Sequence, residues 1–169
     1  MKGFMLTICL LFGLAHFAFA EDCISLGKVD IELGAQESEI LAEVEEFYRI
    51  QEDRVYPGSF FIFDRKSSRM MGTITFANNR VFSVSKSWGV FGETEGLDTM
   101  RAVIGAMASL AHRSAYVSLR RMNDPQLTIE AVKLSSGTKD IREIEIILSE
   151  QRGNTSIHVS EHLHRERTP

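Results

Sequence analysis

The second half of this chain is a train of short strand-like runs separated by turn signals, and little else can fold from such a pattern but an antiparallel sheet. Residues 115–122 run into Asn123-Asp124-Pro125, residues 127–134 into Ser135-Ser136-Gly137, and residues 141–148 toward Arg152-Gly153-Asn154; residues 155–163 form the last run. Within them the character alternates, as in Ile129, Ala131 and Lys133 against Thr128, Glu130 and Val132, the period of a strand whose side chains point to opposite faces. Links this short join neighbours, because a parallel pair needs a crossover of about a dozen residues or more.

The first half repeats the theme. Pro57-Gly58 precedes the run SFFIFD at residues 59–64, residues 73–76 alternate Thr, Ile, Thr, Phe, and Asn78-Asn79 supplies a tight turn into residues 81–88. Along that last run Phe82, Val84, Lys86 and Trp88 oppose Val81, Ser83, Ser85 and Ser87. Residues 24–33 read as an edge strand or an extended lead-in, ended by Gly34. Over residues 35–50, Ile40, Leu41, Val44, Phe47 and Tyr48 fall on one helical face while Glu37, Glu39, Glu43 and Glu46 cover the other. Residues 97–111 predict a second helix, capped by Asp98. It is apolar on most sides, which places it between the sheet and the first helix or at an interface. The expectation is one α+β domain over residues 21–163, with an antiparallel sheet of about six or seven strands and two helices packed on one face.

The N-terminus predicts an address. Lys2 precedes an uncharged apolar run over residues 4–14, and Ala18-Phe19-Ala20 is followed by Glu21-Asp22. That is the layout of a signal peptide cut after Ala20, so the mature chain is expected to be periplasmic or secreted. The run is too short to span a membrane comfortably, as are residues 102–111. With 23 acidic and 19 basic residues, the chain lacks the basic surplus of a nucleic-acid binder. Losing Cys9 with the leader leaves Cys23 alone, which excludes a disulfide scaffold and leaves a thiol near the new terminus, able at most to link two copies into a homodimer. Residues 164–169 read as a frayed tail, and Asn154-Thr155-Ser156 fits a glycosylation acceptor in a eukaryotic secretory host.

Residues 31–88 resemble the small outer-membrane assembly lipoproteins of the SmpA/OmlA type and, more loosely, the fold of the β-lactamase inhibitor protein. The similarity rests on Ile31-x-Leu33-Gly34 leading into an acidic helix, on Gly72-Thr73-Ile74-Thr75-Phe76-x-Asn78-x-Arg80-Val81, and on Ser87-Trp88. The chain departs from the pattern at Ala35, often Met, at Asn79, where the hairpin glycine would sit, and in having no lipobox cysteine. Membrane anchoring is therefore not implied. The resemblance implies an extracytoplasmic binding or assembly module without a catalytic site.

Candidate chemistry is sparse. His158, His162 and His164 share one strand face if the last run continues, and Glu161 or Glu166 could add a carboxylate for zinc or copper, although the spacing matches no standard metal motif. His112 with Arg113 suits a helix C-terminus better than a catalytic role. Ser83, Ser85 and Ser87 lack a nucleophile elbow, Glu52, Asp53 and Asp64 read as loop carboxylates, and Gly92 and Gly96 lack the Lys-Ser/Thr of a phosphate loop. No cofactor is called for. The consecutive Phe60 and Phe61 point to opposite faces of a regular strand, so part of the set Phe60, Phe61, Phe82 and Trp88 is expected to form an exposed aromatic surface for a partner. The function expected is a non-enzymatic binding or assembly module that docks another envelope or extracellular protein through an open sheet face or edge. A metal protein or enzyme using the C-terminal histidines, and a carrier of a small apolar ligand, are the alternatives.

Overall fold

The computed structural model describes residues 23–166 except 93, 111–112, 125–126 and 152. The leader, His112 and the last three residues lie outside it. The chain runs β1 (Cys23–Leu26), β2 (Val29–Glu32), α1 (Glu37–Phe47), β3 (Tyr48–Glu52), β4 (Ser59–Asp64), β5 (Met70–Ala77) and β6 (Arg80–Gly92). It continues with α2 (Gly96–Ala108), β7 (Tyr116–Asp124), β8 (Leu127–Ser136), β9 (Asp140–Gln151) and β10 (Asn154–Arg165). Strands β3 to β10 form one eight-stranded antiparallel sheet in the order β3-β4-β5-β6-β10-β9-β8-β7. Two meanders thus meet at a β6–β10 seam.

The architecture is α+β with both helices on one face, but the sheet is larger than expected. The additional strand is β3. The 3.6-residue periodicity of residues 35–50 counts Tyr48 as helical, yet α1 ends at Phe47 and the chain enters β3 with no intervening loop. Tyr48 is turned inward, where its hydroxyl accepts a hydrogen bond from the Lys28 N–H at 3.0 Å. The Arg65 side chain bonds the carbonyls of Glu45 and Tyr48, satisfying acceptors that the helix end leaves open. Residues 24–33 form not one strand but the β1–β2 hairpin, turned at Gly27 with φ 67°. Asp98 does not cap α2; it sits in the first turn, 3.1 Å from Arg101. Strand β10 runs on through His164 and Arg165, whose Nε reaches Asp140 Oδ1 at 2.9 Å. The β5–β6 turn is as expected: Asn78 and Asn79 take φ 53° and 58°, the left-handed pair that matches strand twist in a tight hairpin.

Two apolar clusters fill the covered face. The first joins Ile24, Leu26, Val29 and Ile31 of the hairpin to Ile40 and Val44 of α1, and to Ile62, Ile74, Val84 and Leu163 of the sheet. The second sets Ala102 and Ala106 of α2 on Ile144 and Val159, with Trp88, Phe91, Leu134 and Ile146 around them. Close approach explains two glycines. A Cβ on Gly72 would lie 1.9 Å from the Ser85 carbonyl oxygen and 3.1 Å from Leu26 Cδ2, and one on Gly105 would lie 2.7 Å from the Trp88 ring. Between the clusters lies a buried ion pair, Arg142 Nη1 to Glu161 Oε1 at 2.5 Å. Trp88 Nε1 donates to Glu161 Oε2 at 3.3 Å, and Arg142 Nη2 donates to the Cys23 carbonyl at 2.5 Å. This network ties β6, β9, β10 and the start of β1 into one unit, and the low-dielectric setting makes each partner costly to remove.

Candidate docking surface

Helix α2 presents its side chains in an unusual division. Small residues, Thr99, Ala102 and Ala106, face the sheet. The large apolar ones do not: Leu97 is 66% exposed, Met100 57%, Ile104 63% and Met107 46%. At positions i, i+3, i+7 and i+10 they form one stripe along the helix. The expectation that an apolar helix of this kind is buried on most sides is therefore corrected: α2 buries a narrow seam and leaves an oily flank in water. The small seam is what allows the helix to lie close to the sheet, with Gly105 against the Trp88 ring.

Gly105 abuts Trp88 of β6 from one flank of α2, and Met100 lies by the ends of β6 and β10; the sheet runs on past the helix into β9, β8 and β7. Among the described residues nothing covers the sheet there. Leu119, Val132, Ile146, Leu148 and Ile157 line a hollow of about 440 Å³. These residues share the covered face by register, since Val132 pairs with both Leu119 and Ile146, and Ile157 with Leu148. A second hollow of about 300 Å³ lies between Met100, Thr99 and the ends of β6 and β10, and Ile157 lines both. Meeting at Ile157, they make an apolar trough whose smaller part is walled by Gly96, Thr99 and Met100 of α2 and whose larger part is floored by β10, β9, β8 and β7. Its outer border, β7, is an edge of the sheet, with Val117 63% and Leu119 78% exposed. Arg121 and Glu130 pair across the rim at 3.1 Å.

The other face of the sheet is bare among the described residues, and it is mixed, with hydroxyls and histidines beside Phe61, Phe63 and Val90. Hydroxyls pair across its strands: Ser59 with Thr75 at 3.0 Å, Thr73 with Ser85 at 2.7 Å, Ser149 with Ser156 at 2.9 Å. This is the ordinary solvated side of an antiparallel sheet. His158, His162 and His164 do share it, as their alternation requires. His158 and His162 are four residues apart along an extended strand, about 13 Å, too far to share one ion. Among the described residues no group of three or more His, Cys, Asp and Glu converges as a metal site would. His162 Nε2 lies 3.0 Å from Ser160 Oγ and 4.0 Å from Glu145 Oε2. Both partners address the same ring nitrogen, whereas a relay from acid through histidine to nucleophile needs opposite nitrogens. Burial pushes the His162 pKa down, against the pull of Glu145 and Glu143.

The four aromatics singled out from sequence separate. Phe60 packs edge-on against Phe76 with centroids 5.7 Å apart, beside the first core. Trp88 stands in the second, with the Lys86 ammonium 4.1 Å from its ring centroid. Phe61 lies on the bare face, 6.4 Å from Phe63, over which Arg49 stacks. Phe82 sits at the β5–β6 bulge in a hollow with Tyr56, Pro57 and Ser59. The structure brings no more than two of these onto one surface. The trough residues, by contrast, were unmarked in the sequence: each is a plain Leu, Ile, Val or Met in a run that reads as core. The one readable sign was the surplus of large apolar residues on a helix whose buried seam needs only small ones.

Comparison with protein-family models, with curated proteins and with solved structures finds no match to this chain.

Proposed function

We propose that this protein is a binding or assembly module with no catalytic chemistry of its own, that it works outside the cytoplasm, and that its docking surface is the trough beside α2. The observation that carries the reading is the exposed stripe Leu97, Met100, Ile104 and Met107 beside an uncovered apolar floor. Contiguous apolar surface of this size is what a protein partner covers. A small apolar ligand suits it less well. Carrier sites enclose about 70–90% of their ligand, and this trough stands open along β7, where Leu119 is 78% exposed. The leader pattern of residues 1–20 supports the location.

Capture from an envelope or extracellular fraction tests the reading. The immobilised protein is expected to retain a partner that Leu119→Glu loses and that Val90→Glu, altered at an exposed residue paired with His158 on the bare face, keeps. Equal retention by all three would remove the trough from the function. N-terminal sequencing of the native protein tests the location: a chain beginning at Glu21 is expected, and an intact Met1 on cytosolic protein would overturn it.

A further inference from the structure

We propose that the trough is filled by a second copy of this chain, the two related by a twofold axis that lays the α2 stripe of each in the trough of the other. The inference rests on the docking reading above and names its occupant. An isologous interface needs a surface that is its own complement. Here the projecting stripe and the receiving trough are one continuous surface, joined where Ile157 and Met100 line the same hollow, so a single axis satisfies both at once. Met100 and Met107 add unbranched side chains that adapt to an irregular floor.

Area and charge agree. The exposed parts of Leu97, Met100, Ile104, Met107, Val117, Leu119 and Leu148 come to on the order of 700 Å², within the range that one partner contributes to a standard stable interface. The rim carries Glu130 with Arg121, and Asp98 with Arg101 lies beside the stripe on α2. Each copy therefore brings both signs to the border, and the axis sets no single-sign patch against itself.

Sedimentation velocity on the purified protein, in reductant so that a Cys23 crosslink cannot contribute, tests the proposal. A particle of two chains is expected at tens of micromolar. Ile104→Glu and Leu119→Glu, each placing a charge in the buried centre, are each expected to weaken association by about 30-fold or more, with far-UV circular dichroism unchanged. Glutamate keeps helix propensity close to that of isoleucine or better, so α2 survives the first change; Met100→Lys repeats the test on the helix if Leu119→Glu misfolds. Val90→Glu is expected to associate as wild type does. A single-chain mass for the wild type, or a dimer indifferent to both glutamates, overturns the proposal. Binding of an apolar dye separates its failure from that of the docking reading. A wild-type monomer that binds dye through Leu119 leaves a trough for some other partner, and a monomer that binds none defeats both.

Discussion

At the scale of single residues, the Glu161–Arg142 pair matters most, because it is nearly dry and stands where both cores meet. Its side chains are 4% and 6% exposed. Glu161→Ala strands a buried guanidinium and is expected to cost about 3–5 kcal/mol, read from the denaturant midpoint. Arg142→Met combined with Glu161→Leu removes both charges and is expected to lie much closer to wild type; equal losses in the single and double variants would refute a penalty due to the orphaned charge. His162 predicts a pH dependence. Its pKa is lowered by burial, with Glu145 and Glu143 opposing and Lys133 and His164 reinforcing. The unfolded chain therefore binds the proton more readily. The contribution of neutral His162 is complete above its ordinary value of 6.5 and is lost as pH falls below it. His162→Gln is expected to flatten the stability profile on that acid side; an unchanged slope would assign it to other groups.

At the scale of elements, α2 is positioned by what it lacks. Gly105, Ala102 and Ala106 let it sit directly on Trp88, Ile144 and Val159. Gly105→Val, with its Cβ 2.7 Å from the indole, is expected to push the helix outward and cost about 1–3 kcal/mol. Trp88 is the one tryptophan of the chain, so a red-shifted emission reports the displacement, and unshifted emission would mean that the helix tolerates the methyls in place. The β1–β2 hairpin is the counterpart over the other half of the sheet. It brings four fully buried aliphatics, Ile24, Leu26, Val29 and Ile31, in eight strand residues. Ile31→Ala is expected to cost about 2–5 kcal/mol, measured by thermal unfolding; a shift within error would show that the hairpin is not part of the cooperative core. Among the described residues no second hairpin covers β7 and β8, and the trough occupies that position.

At the scale of the whole molecule, the two meanders are expected to unfold together. Strand β10 places Leu163 in the first core and Val159 in the second, four residues apart on one strand. Neither half can lose β10 and keep its core. Tryptophan emission and far-UV circular dichroism should therefore report coincident transitions, shifting together with protein concentration if two copies associate; separated transitions would show two independent halves.

The antiparallel meanders, the two helices and their common side were legible in residues 35–163, because period-two alternation, period-3.6 faces and turn residues are local signals that tertiary packing here obeys. Strand β3 was not: Tyr48 and Ile50 continue the helical spacing, and only the inward hydrogen bond to Lys28 and the pairing with β4 settle the backbone as extended. The histidine face was legible from alternation, and the distances along it were too. The docking surface was decided by tertiary structure alone. Composition says that Leu97, Met100, Ile104, Leu119 and Ile157 prefer to leave water. Which of them succeed depends on how closely α2 lies to the sheet and how far the sheet extends beyond it, and that depends on Gly105, on the β6–β10 seam and on contacts tens of residues apart.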